Sequence, residues 1–198
     1  MTNAGTLDAG AAAALDRLSA ARASRRPCAP VRDLLPADDL DAAYAVQSAW
    51  VAGQLAAGAR VIGRNDLDGD VIGRAEVAAA TAYVVAALEI VDSRIADWDI
   101  SIVDSIADNA SSGLFVLGDR KQGLGVLDLA DCAMTMRRRH QVVSTGTGSA
   151  VLGHPLASVA WLAATVRDLG RPLRAGEVIL SGSLGPMVPV APDRFSRA

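Results

Sequence analysis

The chain has 198 residues, enough for one domain with a sizeable core and too few for two full-sized enzyme domains. Its 22 acidic and 19 basic side chains give a net charge of −3, which argues against nucleic acids and anionic membrane surfaces as partners. No run approaches the roughly 18 consecutive apolar residues that a membrane span requires. Two cysteines, Cys28 and Cys132, and an N-terminus without a basic and apolar leader favour a cytoplasmic protein without disulfides.

The first part of the chain has a helical pattern. Residues 9–24 are rich in alanine and leucine, which are strong helix formers, and predict an N-terminal helix. After three prolines, a second helix is predicted from Leu40 to a stop at Gly58. A short extended piece over residues 60–63 and a turn then lead to a third, Ala-rich helix over residues 74–85.

The later part is richer in strand signals. Pro155 opens one more predicted helix, which Gly170 ends. The polar tip at residues 137–140 indicates a hairpin with its arginines in water. Strands are predicted from β-branched and apolar content over residues 88–95, 113–118, 132–136 and 141–144, and strands or strand edges over residues 177–183 and 187–192. The mixture predicts an α+β fold, with neither regular βαβ alternation nor internal repeats.

Glu89 is the first candidate for a chemical role, because it is a carboxylate between apolar residues in a predicted strand. Such a strand is expected to bury at least one face, and an unpartnered buried carboxylate costs several kcal/mol. We therefore expect Glu89 to be buried with a partner, which Arg94 or a hard cation could provide. The alternatives are a structural ion pair and an edge-strand carboxylate in water.

Asp104 and Asp108 stand four residues apart, where two like charges on one helix face repel each other. A cation or Arg94 would compensate them. Use of Asp108 and Asn109 as turn or capping residues would do so equally, and capping is the simpler interpretation.

Three further motifs have simple structural interpretations. Residues 146–148 resemble half of a dinucleotide fingerprint, but the third glycine and the βαβ context are missing. His140 at the hairpin tip and His154 at a helix start are typical of surface and capping histidines, and no Cys/His spacing indicates zinc. The serines and glycines of residues 180–186 offer donors to a carboxylate, or form a plain turn.

The stretch ALEIVDSRIADWDI at residues 87–100, followed by DSIADNASS at residues 104–112, resembles the signature of the 2-keto-4-pentenoate hydratases. These enzymes belong to the fumarylacetoacetate-hydrolase-like group, together with the 4-oxalocrotonate decarboxylases. Residues 41–63 resemble the family's N-terminal helix and first strand, and residues 151–192 resemble its C-terminal half. Matches of this length are far more specific than a single motif.

The resemblance implies a mixed α+β fold with a curled, β-rich core and N-terminal helices. It also implies an enzyme that uses Mg²⁺ or Mn²⁺ to add water to 2-hydroxypenta-2,4-dienoate, a small 2-oxo acid of aromatic or steroid ring catabolism, giving 4-hydroxy-2-oxopentanoate. In this reaction the metal stabilises an enolate of the substrate. By motif position, the implied site consists of the metal ligand Glu89, the catalytic residues Asp108 and Asn109, and the substrate-binding residues Ser112, Ser181 and Ser183.

The chain departs from the family pattern after Gly63. Members continue with a lysine-containing G-x-K-x-G-like segment and a Glu-x-Glu pair that supplies two further metal ligands, whereas this chain contains no Glu-x-Glu. Glu76 and Glu177 are poor substitutes. Replacement ligands could come from Asp66, Asp68 or Asp70. We therefore expect an internal segment to be missing near residues 63–66, leaving an incomplete fold, a weak metal site and impaired turnover.

Three functions remain open: an impaired hydratase, a 4-oxalocrotonate-type decarboxylase, and a non-catalytic truncated paralogue or subunit partner. We expect one domain overall, with residues 1–36 as N-terminal helix and linker and residues 37–198 as the hydratase-like domain. Ala-rich helices and apolar strands leave apolar surface uncovered, which predicts a homo-oligomer. Association with a downstream catabolic enzyme is also compatible with the resemblance.

Overall fold

The computed structural model describes residues 7–56 and 65–190, which form two compact units. Unit 1 combines residues up to 56 with residues 86–118, and unit 2 combines residues 65–85 with residues 119–190. Each unit is therefore assembled from two separate stretches of the sequence. The predicted helix stop at Gly58 and the extended piece that follows it lie outside the described residues.

Helices and strands are distributed over the two units. The helices are α1 (Ala9–Ser24), α2 (Leu40–Ala56), α3 (Arg74–Ala80), α4 (Ile102–Ala107) and α5 (Pro155–Asp168). The strands are β1 (Ala87–Val91), β2 (Ser112–Leu117), β3 (Ala133–Arg138) and β4 (Gln141–Thr147). They pair as two separate two-stranded sheets, β1 with β2 and β3 with β4. Within the described residues, these are the two sheets that form.

Most predicted elements are confirmed, and α1 has the predicted bounds. Its N-terminus is capped by Asp8, whose carboxylate accepts a hydrogen bond from the Ala11 amide at 2.7 Å. The third helix is shorter than predicted, because it ends at Ala80. The β-branched and aromatic residues that follow favour extended backbone, and Val84 exchanges backbone hydrogen bonds with Gln122 at 2.9 Å.

The core of unit 1 lies where α1, α2 and α4 meet. Because α1 belongs to this core, the N-terminal helix is part of unit 1, and the division at residue 36 stays a prediction. The core side chains are small or branched aliphatic, which lets the helices approach closely. They are Ala11, Ala14, Leu18, Val31, Leu35, Ala43, Val46, Ile95, Val103 and Ala107.

The β1–β2 sheet is antiparallel and carries a bulge between Ile90 and Val91. Glu89 is paired with Phe115, whereas Val91 is paired with Ser112, so Gly113 is the extra residue on β2. A Cβ atom at Gly113 would lie 2.7 Å from the carbonyl oxygen of Ile90. A side chain at position 113 would therefore push the two strands apart.

Unit 2 contains the predicted hairpin, with β3 and β4 antiparallel and an exposed arginine-rich tip. α5 opens at Pro155 and is followed by Gly170 in the left-handed region, both as predicted. No strand forms between residues 171 and 190, so the strands predicted over 177–183 and 187–192 are wrong for the described part. Their composition favours extended backbone, but a strand also needs a neighbouring strand to satisfy its backbone groups.

One stretch, Gly148–Asp168, is long and apolar enough by composition to cross a membrane, with a mean hydropathy of 1.4. The stretch is not one continuous α-helix, because Leu152 and Gly153 have positive φ angles and separate a 3-10 turn from α5. The 14 residues of α5 span about 21 Å, whereas a membrane core is about 30 Å thick. Core helices of soluble proteins pass the same compositional test.

Candidate functional site

The signature segment runs through β1, α4 and β2, so it belongs entirely to unit 1. It contains four of the six implied site residues: Glu89, Asp108, Asn109 and Ser112. The other two, Ser181 and Ser183, lie in unit 2.

Glu89 lies in the middle of β1 and is exposed, so its predicted burial is wrong. On the same face, the neighbouring Phe115 is 48% exposed, which shows that this side of the two-stranded sheet is uncovered. The proposed partner Arg94 pairs instead with Asp108 at 2.5 Å. Of the alternatives left open by the sequence, the strand carboxylate in water is the one observed.

Asp108 is a buried carboxylate, 2% exposed, at the C-terminal end of α4. One oxygen, Oδ1, accepts from Arg94 Nε at 2.5 Å. The other, Oδ2, accepts from the hydroxyls of Ser93 and Ser111 at 3.0 and 3.1 Å and from the Arg94 amide at 3.2 Å. Of the alternatives left open for Asp108, compensation by Arg94 is thus observed, as is its use as a capping residue. Asp108 forms the end cap of its helix, and its catalytic role stays a prediction.

The loop after Asp108 has an unusual backbone. Asn109, Ala110 and Ser111 have φ angles of 52°, 54° and 53°, so three successive non-glycine residues are left-handed. Each such residue costs roughly 1–2 kcal/mol, and backbone strain of this kind concentrates at functional sites. The Asn109 side chain is oriented by Gln47, whose Nε2 donates to its Oδ1 at 2.9 Å. The sequence motif located this loop but gave no sign of its handedness.

Asp104 is fully buried, and both of its carboxylate oxygens accept hydrogen bonds from residues of unit 1. Its Oδ1 accepts from the Val31 and Arg32 amides at 2.7 and 2.8 Å, and its Oδ2 accepts from Arg32 Nη1 at 2.8 Å. Ser101 completes a capping box with Asp104 at the start of α4. Burial opposes ionisation of this carboxyl, but the hydrogen bonds from Ser101 and Arg32 prevail and lower its pKa.

The residues present do not make a complete metal site. A hard divalent ion takes about six oxygen ligands, and Glu89 offers one carboxylate. Across residues 7–56 and 65–190, no three His, Cys, Asp or Glu side chains lie close enough together to hold an ion. The rest of the sequence adds a single further carboxylate, Asp193.

The replacement ligands suggested by the sequence have other partners. Asp66 accepts from the Ala175 amide at 2.7 Å and from Arg174 Nη1 at 2.8 Å, and these two contacts lower its pKa. Asp68 lies 3.6 Å from the same guanidinium. Both aspartates pair with Arg174 in unit 2, and the suggestion that they replace metal ligands stays a prediction. The backbone carbonyl of Asp70 accepts a hydrogen bond from Arg167 Nη1 at 2.9 Å.

Ser181 and Ser183 line a cavity of about 370 Å³ in unit 2. The Ser181 carbonyl accepts from Ser158 Oγ at 2.5 Å, and the Ser183 hydroxyl donates within its own turn to Gly185 at 2.5 Å. The remaining lining is largely apolar and includes Trp161 of α5. This cavity is large enough for a small organic acid, and the substrate-binding role of the two serines stays a prediction.

The weaker motifs have structural explanations. A Cβ atom at Gly146 would lie 1.7 Å from the Leu184 carbonyl oxygen, so the glycine permits a close backbone crossing. His154 caps α5, with its Nδ1 accepting from the Leu156 amide at 3.1 Å. His140 is exposed at the hairpin tip.

Known proteins with similar sequences are hydratases, although the chain matches no protein-family profile. It is 42% identical to 2-keto-4-pentenoate hydratase 1 of Dechloromonas aromatica strain RCB, over 98% of this chain and 94% of that protein. It is also 53% identical to 2-hydroxyhexa-2,4-dienoate hydratase of Comamonas testosteroni, over 67% of this chain and 50% of that protein.

The first of these alignments also reveals an internal gap. It extends over 250 positions, more than the 198 residues of the chain, so several dozen positions of the relative have no counterpart here. Because nearly the whole chain is aligned, the missing positions lie inside the matched region. The expected internal gap is thereby confirmed, while the junction at Gly63 lies outside the described residues.

Two solved structures of 4-oxalocrotonate decarboxylase from Pseudomonas putida G7 share the fold. The complex with magnesium and adipate has a TM-score of 0.86 and 26% sequence identity, covering 92% of this chain and 90% of that one. The complex with calcium and acetate has a TM-score of 0.83. The signature segment, the near-complete alignment at 42% identity and this shared fold agree: the chain belongs to the 2-keto-4-pentenoate hydratase family.

Proposed function

We propose that the chain is a hydratase that adds water to 2-hydroxypenta-2,4-dienoate in aromatic or steroid ring catabolism, giving 4-hydroxy-2-oxopentanoate at a reduced rate. The observation that carries this proposal is the 42% identity to a hydratase over 98% of the chain. The decarboxylase alternative rests on structures that are only 26% identical. A non-catalytic subunit is the third candidate, because the carboxylate set is incomplete.

The proposed site in unit 1 consists of Glu89 as the one matched metal ligand and the Asn109–Ser112 loop as the catalytic and substrate-binding region. Glu89 is open to solvent, and the loop lies at the end of the same two-stranded sheet. A single carboxylate binds Mg²⁺ or Mn²⁺ weakly, and this is the reason for proposing slow turnover. In unit 2, Ser181 and Ser183 are proposed to contact the substrate at the 370 Å³ cavity. We also propose a cytoplasmic homo-oligomer.

The test compares two glutamates. Loss of the dienoate chromophore is followed in millimolar Mg²⁺ or Mn²⁺ for the unchanged chain, Glu89→Gln and Glu76→Gln. We expect slow hydration that Glu89→Gln lowers by about tenfold or more, because the variant removes the matched metal ligand. Glu76→Gln is the control, since glutamine preserves the capping contact of Glu76 with the Gly73 amide at 2.8 Å.

The alternatives give different results in the same assay. Faster release of CO₂ from 4-oxalocrotonate than hydration of the dienoate would establish the decarboxylase. No reaction with either substrate, together with no metal binding in calorimetry, would establish a non-catalytic chain. The six-carbon 2-hydroxyhexa-2,4-dienoate is included because one relative carries that substrate in its name.

A further inference from the structure

We propose that Arg94 is a positioning residue that, together with Asp108, holds the Asn109–Ser112 loop at a fixed place relative to the strand that carries Glu89. The inference deepens the proposed function, on which its catalytic part rests. The sequence alone offered Arg94 as a partner of Glu89 or as a charge that compensates Asp104 and Asp108, and neither is a positioning role for the loop.

The Arg94 guanidinium connects the two ends of the loop. At the start of the loop, its Nη2 donates to the Asp108 carbonyl and its Nε donates to Asp108 Oδ1. At the end of the loop, its Nη1 donates to the Ser112 carbonyl at 2.6 Å. One planar group therefore fixes the distance that three left-handed residues must span.

Further hydrogen bonds join the loop to residues 92–94, which directly follow β1. The Asp92 amide donates to the Ser111 carbonyl at 2.8 Å. Ser93 Oγ and the Arg94 amide both donate to Asp108 Oδ2, at 3.0 and 3.2 Å. A displacement of the loop relative to Glu89 would break all of these hydrogen bonds together. The arrangement thus couples the loop geometry to the position of the strand carboxylate.

The geometry distinguishes positioning from simple charge neutralisation. The side chains of Arg94 and Asp108 are 12% and 1% exposed, so their pairing is removed from water. A lysine at position 94 would keep the positive charge beside Asp108. It would lack the planar fork that reaches two carbonyl groups and a carboxylate at once. Charge and positioning can therefore be separated by one conservative substitution.

The experiment uses the full chain with Arg94→Lys and measures hydrogen exchange at the Asp92 and Ser111 amides. Both amides donate to loop or helix-end carbonyls, the latter to Asp108 at 3.0 Å. We expect exchange at these two amides to accelerate by about tenfold while the thermal midpoint changes little. Where hydration is measurable, kcat should fall by about tenfold with KM nearly unchanged.

The matched control is Arg32→Lys, because Arg32 pairs with the buried Asp104 of the same helix at 2.8 Å without contacting the loop. It should leave exchange at Asp92 and Ser111 unchanged. Ser111→Ala provides a second variant in case Arg94→Lys does not fold. That variant removes a single hydrogen bond to Asp108 Oδ2 and should accelerate exchange at the same amides to a smaller degree.

Two results would overturn the proposal. One is unchanged exchange in Arg94→Lys, which would show that charge alone suffices. The other is a uniform acceleration at all amides of unit 1, which would show a purely structural role. If the unchanged chain hydrates no dienoate, the proposed function fails, while the exchange comparison still decides the role of Arg94.

Discussion

The carboxylates of Glu89, Asp104 and Asp108, all from the signature segment, lie in two contrasting environments. Asp104 and Asp108 are buried and receive hydrogen bonds from nearby backbone and side-chain donors, whereas Glu89 is exposed on a sheet with bare apolar neighbours. The helical part of unit 1 is therefore complete on its own. The sheet part leaves its apolar side chains and the one matched metal ligand in water.

The substitution Asp104→Ala should cause the largest loss of unfolding free energy. The substitution leaves the Val31 and Arg32 amides without their carboxylate acceptor. It also removes one of the two carboxylates that pair with the Arg32 guanidinium, the other being Asp99. Because a buried donor left without an acceptor costs about 1–3 kcal/mol, loss of the two amide bonds should lower the unfolding free energy by roughly 2–5 kcal/mol. Chemical denaturation followed by circular dichroism measures the change.

The control for that measurement is Asp33→Ala. Asp33 pairs with Arg17 at 2.6 Å but is largely in water, so its loss should matter far less. Equal destabilisation by the two variants would contradict the claim that the α4 region is held by buried hydrogen bonds.

A smaller effect is expected for Gly113→Ala at the bulge of the β1–β2 sheet. The added methyl would lie 2.7 Å from the Ile90 carbonyl oxygen and 3.1 Å from Asp92 Cβ, so the strands must separate. We expect a loss of about 1–3 kcal/mol in denaturant unfolding. Gly123→Ala serves as the control, because nothing lies within 4 Å of its added methyl. Equal unfolding free energies of the two variants would show that the strands separate without cost, which would contradict this prediction.

The smallest effect on stability is expected for Leu114→Thr with Val116→Thr. These side chains are 55% and 56% exposed and share one sheet face with Leu88 and Ile90. Threonine keeps the β propensity, so unfolding free energy should change by less than about 0.5 kcal/mol per site. Self-association measured by light scattering should decrease, whereas Val71→Thr in unit 2 should leave it unchanged. An unaltered molar mass would contradict a role of this face in the proposed homo-oligomer.

The sequence predicted local structure well where one stretch determines it. The bounds of α1, the β3–β4 hairpin and the His154 cap follow from residue types and spacing. Predictions that needed a neighbouring element were less successful. The burial of Glu89 assumed a layer over its sheet, and the C-terminal strands assumed a partner strand. The sequence offered Arg94 as a charge that could compensate Asp108, but the donation from Arg94 to the Asp108 and Ser112 carbonyls depends on the left-handed loop and was not predicted.

The positions of the three tryptophans give the molecule a natural set of optical reporters. Trp50 lies beneath the Arg22 guanidinium and Trp98 is 53% exposed, both in unit 1, whereas Trp161 in unit 2 is 62% exposed and lines the cavity. Trp161→Phe therefore confines the indole emission to unit 1. Comparing its unfolding curve with that of the unchanged chain reports whether the two units lose their structure in one cooperative step or separately.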